Sequence, residues 1–168
     1  MKMWYNIYTR KERLEPMGKR QTIYFDMDGT IASLYEVEGW LDDLIASKTR
    51  PYDQAPVMHN MSLLARLLHK VQRNGYQVGI ISWLSKSGTD AYNQEVAQSK
   101  RKWLEKHLPS VQFDEIHIVR YGTPKSSVAS SFGILFDDEE RNRLEWDKGN
   151  AYAPEKIFEI LKNLSKTP

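Results

Sequence analysis

The chain has 168 residues, enough for one domain with a buried core and too few for two full-sized ones. Hydrophobic residues at 40% and charged residues at 27% exclude a disordered or low-complexity chain, and zero cysteines exclude disulfide scaffolds, thiol nucleophiles and thiolate zinc sites. The net charge of +2 is uneven: Lys2, Arg10, Lys11, Arg13, Lys19 and Arg20 against Glu12 and Glu15 make residues 1–20 +4 and the remainder −2.

Residues 1–18 therefore read as a basic N-terminal extension, and residues 19–168 as the folded domain. A solvated leader is the favoured reading, nucleic-acid contact through residues 1–20 the less favoured one, and Met17 an alternative start. No apolar stretch suits a membrane span or a secretory signal, so the expected location is cytoplasmic, with no membrane partner. Oligomeric state is left open.

Thr22–Phe25 (TIYF) is a short β-branched and aromatic run ending abruptly at Asp26, the pattern of a buried strand that delivers a polar residue at its end. Ile31 to Pro56 contains 26 residues, room for a small insertion only; Leu34 to Leu41 is a candidate helical lid, and Arg50 to Pro56 reads as a linker. Apolar residues spaced by three and four predict a helix over Val57 to Asn74, stopped by Asn74-Gly75. Strands are predicted at Gln77–Ser82, Glu115–Arg120 and Gly133–Phe136, with a helix over Thr89 to Leu108 and a last one opened by Pro154. Strands alternating with long helices predict an α/β fold: a three-layer αβα sandwich around a mostly parallel, Rossmann-like sheet. Ligands in such folds sit beyond the carboxyl ends of the strands.

Those ends carry Asp26 and Asp28, Ser82, and Asp137 with Asp138. In Asp26-Met27-Asp28-Gly29-Thr30 two carboxylates at i and i+2 approach one point, and Gly29 permits a sharp exit from the strand. These are suitable parts for holding a hard divalent cation and for nucleophilic attack by a carboxylate. From average composition such a string arises by chance in about one chain in a thousand of this length. Each residue taken alone has a plainer reading: Ser82 as a strand end, Lys125 as an exposed loop lysine, Asp137 and Asp138 as caps of a helix starting near Glu139. His107 and His117 read as structural, and no histidine pair has metal-ligand spacing.

The string Asp26–Thr30 resembles the first signature of the haloacid dehalogenase-like (HAD) superfamily of phosphohydrolases and phosphotransferases. Ser82 closing Gln77–Ile81 is similar to its second signature, Lys125 in Gly122-Thr123-Pro124-Lys125 to its third, and Asp137-Asp138 to its fourth. The resemblance runs from about Thr22 to Asp138 and implies a Mg²⁺-dependent phosphomonoester hydrolase. It casts Asp26 as the nucleophile that forms an aspartyl-phosphate and Asp28 as acid and then base. Ser82, Trp83, Lys125 and Gly29 are implied as phosphate-binding residues. Mg²⁺ is implied at Asp26, the Asp28 carbonyl, Asp137 and Asp138, with the direct ligand of the last pair left open.

The small insertion at about 31–56 resembles the small-capped 5′-nucleotidase branch, which implies a nucleoside monophosphate or another small phosphate ester as substrate. Tyr35 and Trp40 are the candidate lid residues for stacking on a base, with packing of Trp40 onto the core as the plainer reading. An open site would instead suit nucleic-acid ends or another macromolecule. A phosphotransferase differs only in what accepts the phosphoryl group, and a catalytically idle phosphate-binding module on the same fold is the alternative from another class. A receiver domain is disfavoured because it needs a lone acceptor Asp after a middle strand and its Lys after the last one.

Overall fold

A computed structural model describes residues 20–166, so the expected basic extension and the Met17 start lie outside the described residues. Five parallel strands, β1 (Thr22–Phe25), β2 (Gln77–Trp83), β3 (Glu115–Val119), β4 (Gly133–Phe136) and β5 (Ala151–Tyr152), form one sheet in the order β3-β2-β1-β4-β5. The sheet is the predicted α/β architecture with one strand added. β5 is two residues long, too short for a periodicity to show.

Alternation along β1 divides the core. Ile23 and Phe25 face a large cluster with Val78 and Ile80 from the sheet, Leu64, Leu68 and Val71 from helix α3 (Met61–Arg73), and Ile157 and Leu161 from α7 (Ile157–Leu164). Tyr24 faces the other way, toward Ile81, Leu135 and Trp146. That second face is thinly covered, by α5 (Lys125–Val128) and α6 (Glu140–Glu145), with Trp146 edge-on to Tyr24 at 5.6 Å between ring centres. Helix α4 (Asp90–His107) starts at Thr89, whose hydroxyl accepts the Tyr92 amide, and buries Trp103 and Leu104.

Three local expectations are corrected. The predicted helix over Val57 to Asn74 begins at Met61, because the Asn60 side chain caps it by accepting the Leu63 amide, while Val57 bridges to Ala32. The supposed linker after Arg50 is helix α2 (Arg50–Gln54), with Pro51 in its first turn, where a missing amide costs nothing, and Tyr52 buried. The lid is also more than the single short segment expected: a 3₁₀ turn at Leu34–Glu36 is followed by helix α1 (Trp40–Ile45), opened by Gly39 at φ 70°.

The insertion leaves and rejoins the body at one place. Ser33 donates to Pro56 O at 2.8 Å and Met58 to Ile31 O at 3.0 Å, closing a neck. Leu34 and Tyr52 then pack on Tyr92 and Val96 of α4, and the Trp103 indole donates to Ala55 O at 2.8 Å. Trp103→Ala removes both a large buried ring and that donor; the expected cost is about 3–5 kcal/mol of unfolding free energy in urea titration.

Candidate active site

In-register pairing of β1 with β4 sets Phe25 beside Phe136, so the next residues, Asp26 and Asp137, emerge side by side. The Asp26 amide donates to Phe136 O at 2.9 Å, and the Asp137 amide to Tyr152 O at 3.1 Å. Asp138 completes a cluster in which one oxygen from each of Asp26, Asp137 and Asp138 lies within 4.8 Å of the others.

Lys125, the first residue of α5, is buried against this cluster. Its Nζ donates to Asp26 Oδ1 at 2.8 Å and to Asp137 Oδ2 at 2.6 Å. Asp137 is further bonded: Oδ1 accepts the Glu139 amide, and Oδ2 also accepts from Asn142 at 3.1 Å. Asp26 Oδ2 and Asp138 Oδ1 meet weak contacts from the Thr30 hydroxyl, at 3.3 and 3.4 Å, and the two carboxyl groups also meet each other. Asp138 is also the more accessible of its pair. His59 fixes the Asp26–Thr30 loop from behind, with Nε2 donating to Thr30 O at 2.7 Å.

Through its amide Gly29 donates to Ala32 O at 2.9 Å. What it contributes here is clearance: φ is 78°, and a Cβ would stand 2.3 Å from Asp138 Oδ2. The Trp83 indole donates to Thr123 O at 2.8 Å. That bond anchors the loop leading to Lys125, whose Nζ lies 5.6 Å from the Trp83 ring centre.

Asp28 and Ser82 meet through a residue that the sequence reading missed. Lys100 of α4, fully buried, donates to Asp28 Oδ2 at 2.6 Å, Ser82 Oγ at 2.7 Å and Trp83 O at 2.8 Å. It was overlooked inside Lys100-Arg101-Lys102, a run that looks solvated. The available signal was helical phase: Val96, Lys100, Trp103 and Leu104 all lie on the buried face of α4.

Tyr35 and Trp40 meet edge-on at 5.1 Å, and Tyr35 is half exposed. Partial burial, and then the charges of Asp28, Asp138 and Asp26, push the Tyr35 phenol up. Tyr52 lies beneath, its ring centre 5.2 Å from Lys100 Nζ. The His107 ring lies tilted against Trp103, with ring centres 4.5 Å apart, and His117 bonds Glu115.

Crowding shows in the electrostatics. Burial and the Asp26 charge raise Asp137 to about 6 against the pull of Lys125, and burial with Asp26 and Asp137 raises Asp138 to about 7. Asp28 is raised too, by burial, with Lys100 opposing. Burial works against the Lys125 ammonium, but Asp26 and Asp137 outweigh it and hold Lys125 above the ordinary lysine value.

Hard carboxylate oxygens with weakly engaged lone pairs, in a cradle kept open by Gly29, fit a small divalent cation such as Mg²⁺. Asp26, Asp137 and Asp138 are the residues that would hold it.

No family model matches the chain, and no curated protein is matched by its sequence. Among solved structures it is similar to the D,D-heptose 1,7-bisphosphate phosphatase of Burkholderia thailandensis, at 12% identity and TM-score 0.47 over 78% of this chain and 75% of that one. At that distance the likeness is one of outline.

Because the folded Asp137 and Asp138 bind protons more tightly than the unfolded chain, their protonation stabilises the metal-free fold at low pH. That contribution is lost as pH rises through about 6 and about 7. A cation replaces those protons, so the thermal shift produced by Mg²⁺ is expected to be larger at about pH 8 than at about pH 5.5. Equal shifts at both would show that Mg²⁺ does not bind at these carboxylates.

Proposed function

We propose that this chain is a divalent-metal-dependent phosphomonoester hydrolase of HAD-like type, working through an aspartyl-phosphate on Asp26. The observation that carries this reading is the buried Lys125 bridging Asp26 and Asp137 beside the weakly engaged oxygens of Asp26 and Asp138. A carboxylate held against an ammonium at a strand end is a positioned nucleophile in a site that tolerates an incoming anion.

In this reading an Asp26 oxygen forms a bond to phosphorus as the ester bond to the leaving oxygen breaks, and Asp28 gives that oxygen its proton. Asp28 then takes a proton from the water that cleaves the acyl phosphate, returning Asp26 as a carboxylate. Ser82 donates to a phosphoryl oxygen, and Lys125 offsets the charge that Asp26 and the phosphoryl group bring together. A bound divalent cation would supply further neutralisation of the phosphoryl oxygens.

A nucleoside monophosphate is the proposed substrate class, supported by the Tyr35 and Trp40 ring pair beside the site. Base faces stack on such rings with little sequence demand.

Mg²⁺-dependent phosphate release is expected from nucleoside 5′- or 3′-monophosphates and to disappear in Asp26→Asn. The same panel holds sugar phosphates and a 3′-phosphorylated oligonucleotide; release from the oligonucleotide alone would move the substrate to nucleic-acid ends. Silence across the panel would leave an idle phosphate-binding module. Trp40→Ala is expected to raise KM for the nucleotide about fivefold or more while leaving that for an aryl phosphate nearly unchanged. Equal effects would assign Trp40 to packing.

A further inference from the structure

We infer that Lys100 is a positioning residue: it orients Asp28 for proton transfer and fixes Ser82 as a hydrogen-bond donor toward the phosphoryl group. The inference rests on the phosphatase reading above and deepens it.

An ammonium has three donors and no lone pair, and the donors of Lys100 meet Asp28 Oδ2, Ser82 Oγ and Trp83 O at 2.6 to 2.8 Å. Two consequences follow from that chemistry. Ser82 Oγ must accept from Lys100, so its own proton is left to point at another acceptor, and Ser82 itself stands at the strand end that borders the site. Asp28 has Oδ2 tied to Lys100, so Oδ1 is the oxygen that carries and delivers a proton. In the step concerned, the Asp26–phosphorus bond forms, the ester bond breaks, and the proton on Asp28 Oδ1 passes to the leaving oxygen.

The surroundings restrict Lys100 to this geometry. It is 1% exposed, and its Nζ lies over the Tyr52 ring, so the stem cannot swing to solvent without opening the packing of α2 on α4. A lysine kept there for stability alone would be a poor choice, since burying a charge against another charge seldom improves on an apolar replacement. Lys125 does not duplicate the role, because its two partners are Asp26 and Asp137.

The test separates proton delivery from general damage by changing the leaving group. kcat/KM reports the first chemical step, and an aryl phosphate with a good leaving group needs no proton there, whereas an alkyl phosphate does. For Lys100→Met the expected loss is about a hundredfold on the alkyl phosphate and under about tenfold on the aryl phosphate, the smaller loss reflecting Ser82. Equal loss on both would overturn the inference while leaving the phosphatase reading intact. If the wild-type protein hydrolyses neither ester, the phosphatase reading falls and this inference with it.

Should Lys100→Met fail to fold because Asp28 is left unpaired, Asp28→Asn with Lys100→Met removes both charges and is compared with Asp28→Asn alone. The same alkyl-to-aryl ratio in the two is expected, because Lys100 acts through Asp28. A further large loss on the alkyl ester alone would overturn it.

Discussion

Parallel, in-register pairing of β1 with β4 leaves the backbones of Asp26 and Asp137 no choice but to emerge together, and Asp138 joins them within 4.8 Å. Like charges at such a distance repel by about 3 kcal/mol at an effective dielectric near 20. The placement of Lys125 answers that repulsion, since its ammonium reaches the two innermost carboxylates at once. Everything that fixes Lys125 follows in turn: the Trp83 indole bonded to Thr123, the turn at Gly122 with φ 84°, and the short helix α5 that begins at the lysine itself. A second buried ammonium, Lys100, stands on the far side against Asp28. The site is thus an alternation of anions and cations laid across the strand ends, and the sheet register dictates its spacing.

The strands were legible because their signal is local: an apolar run, an abrupt polar end, and turn residues between. Thr22–Phe25 and Gly133–Phe136 occupy the ranges read from the sequence, and the acidic residues after them were visible for the same reason. Lys100 was hidden because a lysine in a helix is normally solvated, and only the helical phase set by Val96 and Trp103 shows that this one points inward. Helix α2 was hidden by composition. Its Arg50-Pro51 start reads as a break, and only the burial of Tyr52 against Tyr92 and Val96 makes a turn of helix worthwhile there. The acceptors of the Gly29 amide and the Trp83 indole were illegible in another sense, because they are brought from Ala32 and Thr123 by the fold.

The body and the roof of the site meet in ways that differ in kind. Below, the carboxylates hang on strand ends in the most buried part of the sheet, where β1 is covered on both faces. Above, the residues from Leu34 to Gln54 are short helical turns tied internally by the Arg50 guanidinium, which pairs with Asp43 and donates to Glu38 O. Their hold on the body is apolar through Leu34 and Tyr52, with hydrogen bonds from the Tyr92 hydroxyl to Lys48 O and from the Trp103 indole to Ala55 O.

The neck at Ala32 and Val57 gives that division a wider meaning. A segment that departs and returns across one pair of residues closes its own loop, and the entropy of closing a loop grows only slowly with length. The roof is therefore open to replacement or enlargement at little thermodynamic expense, while the floor tolerates no shift of register at all. Under the proposed function, choice of substrate and competence for chemistry would be written in two different stretches of the chain, free to change at different rates. What joins them is α4, which supports the roof with Tyr92 and Val96 and reaches the floor with Lys100, one turn further along the same helix.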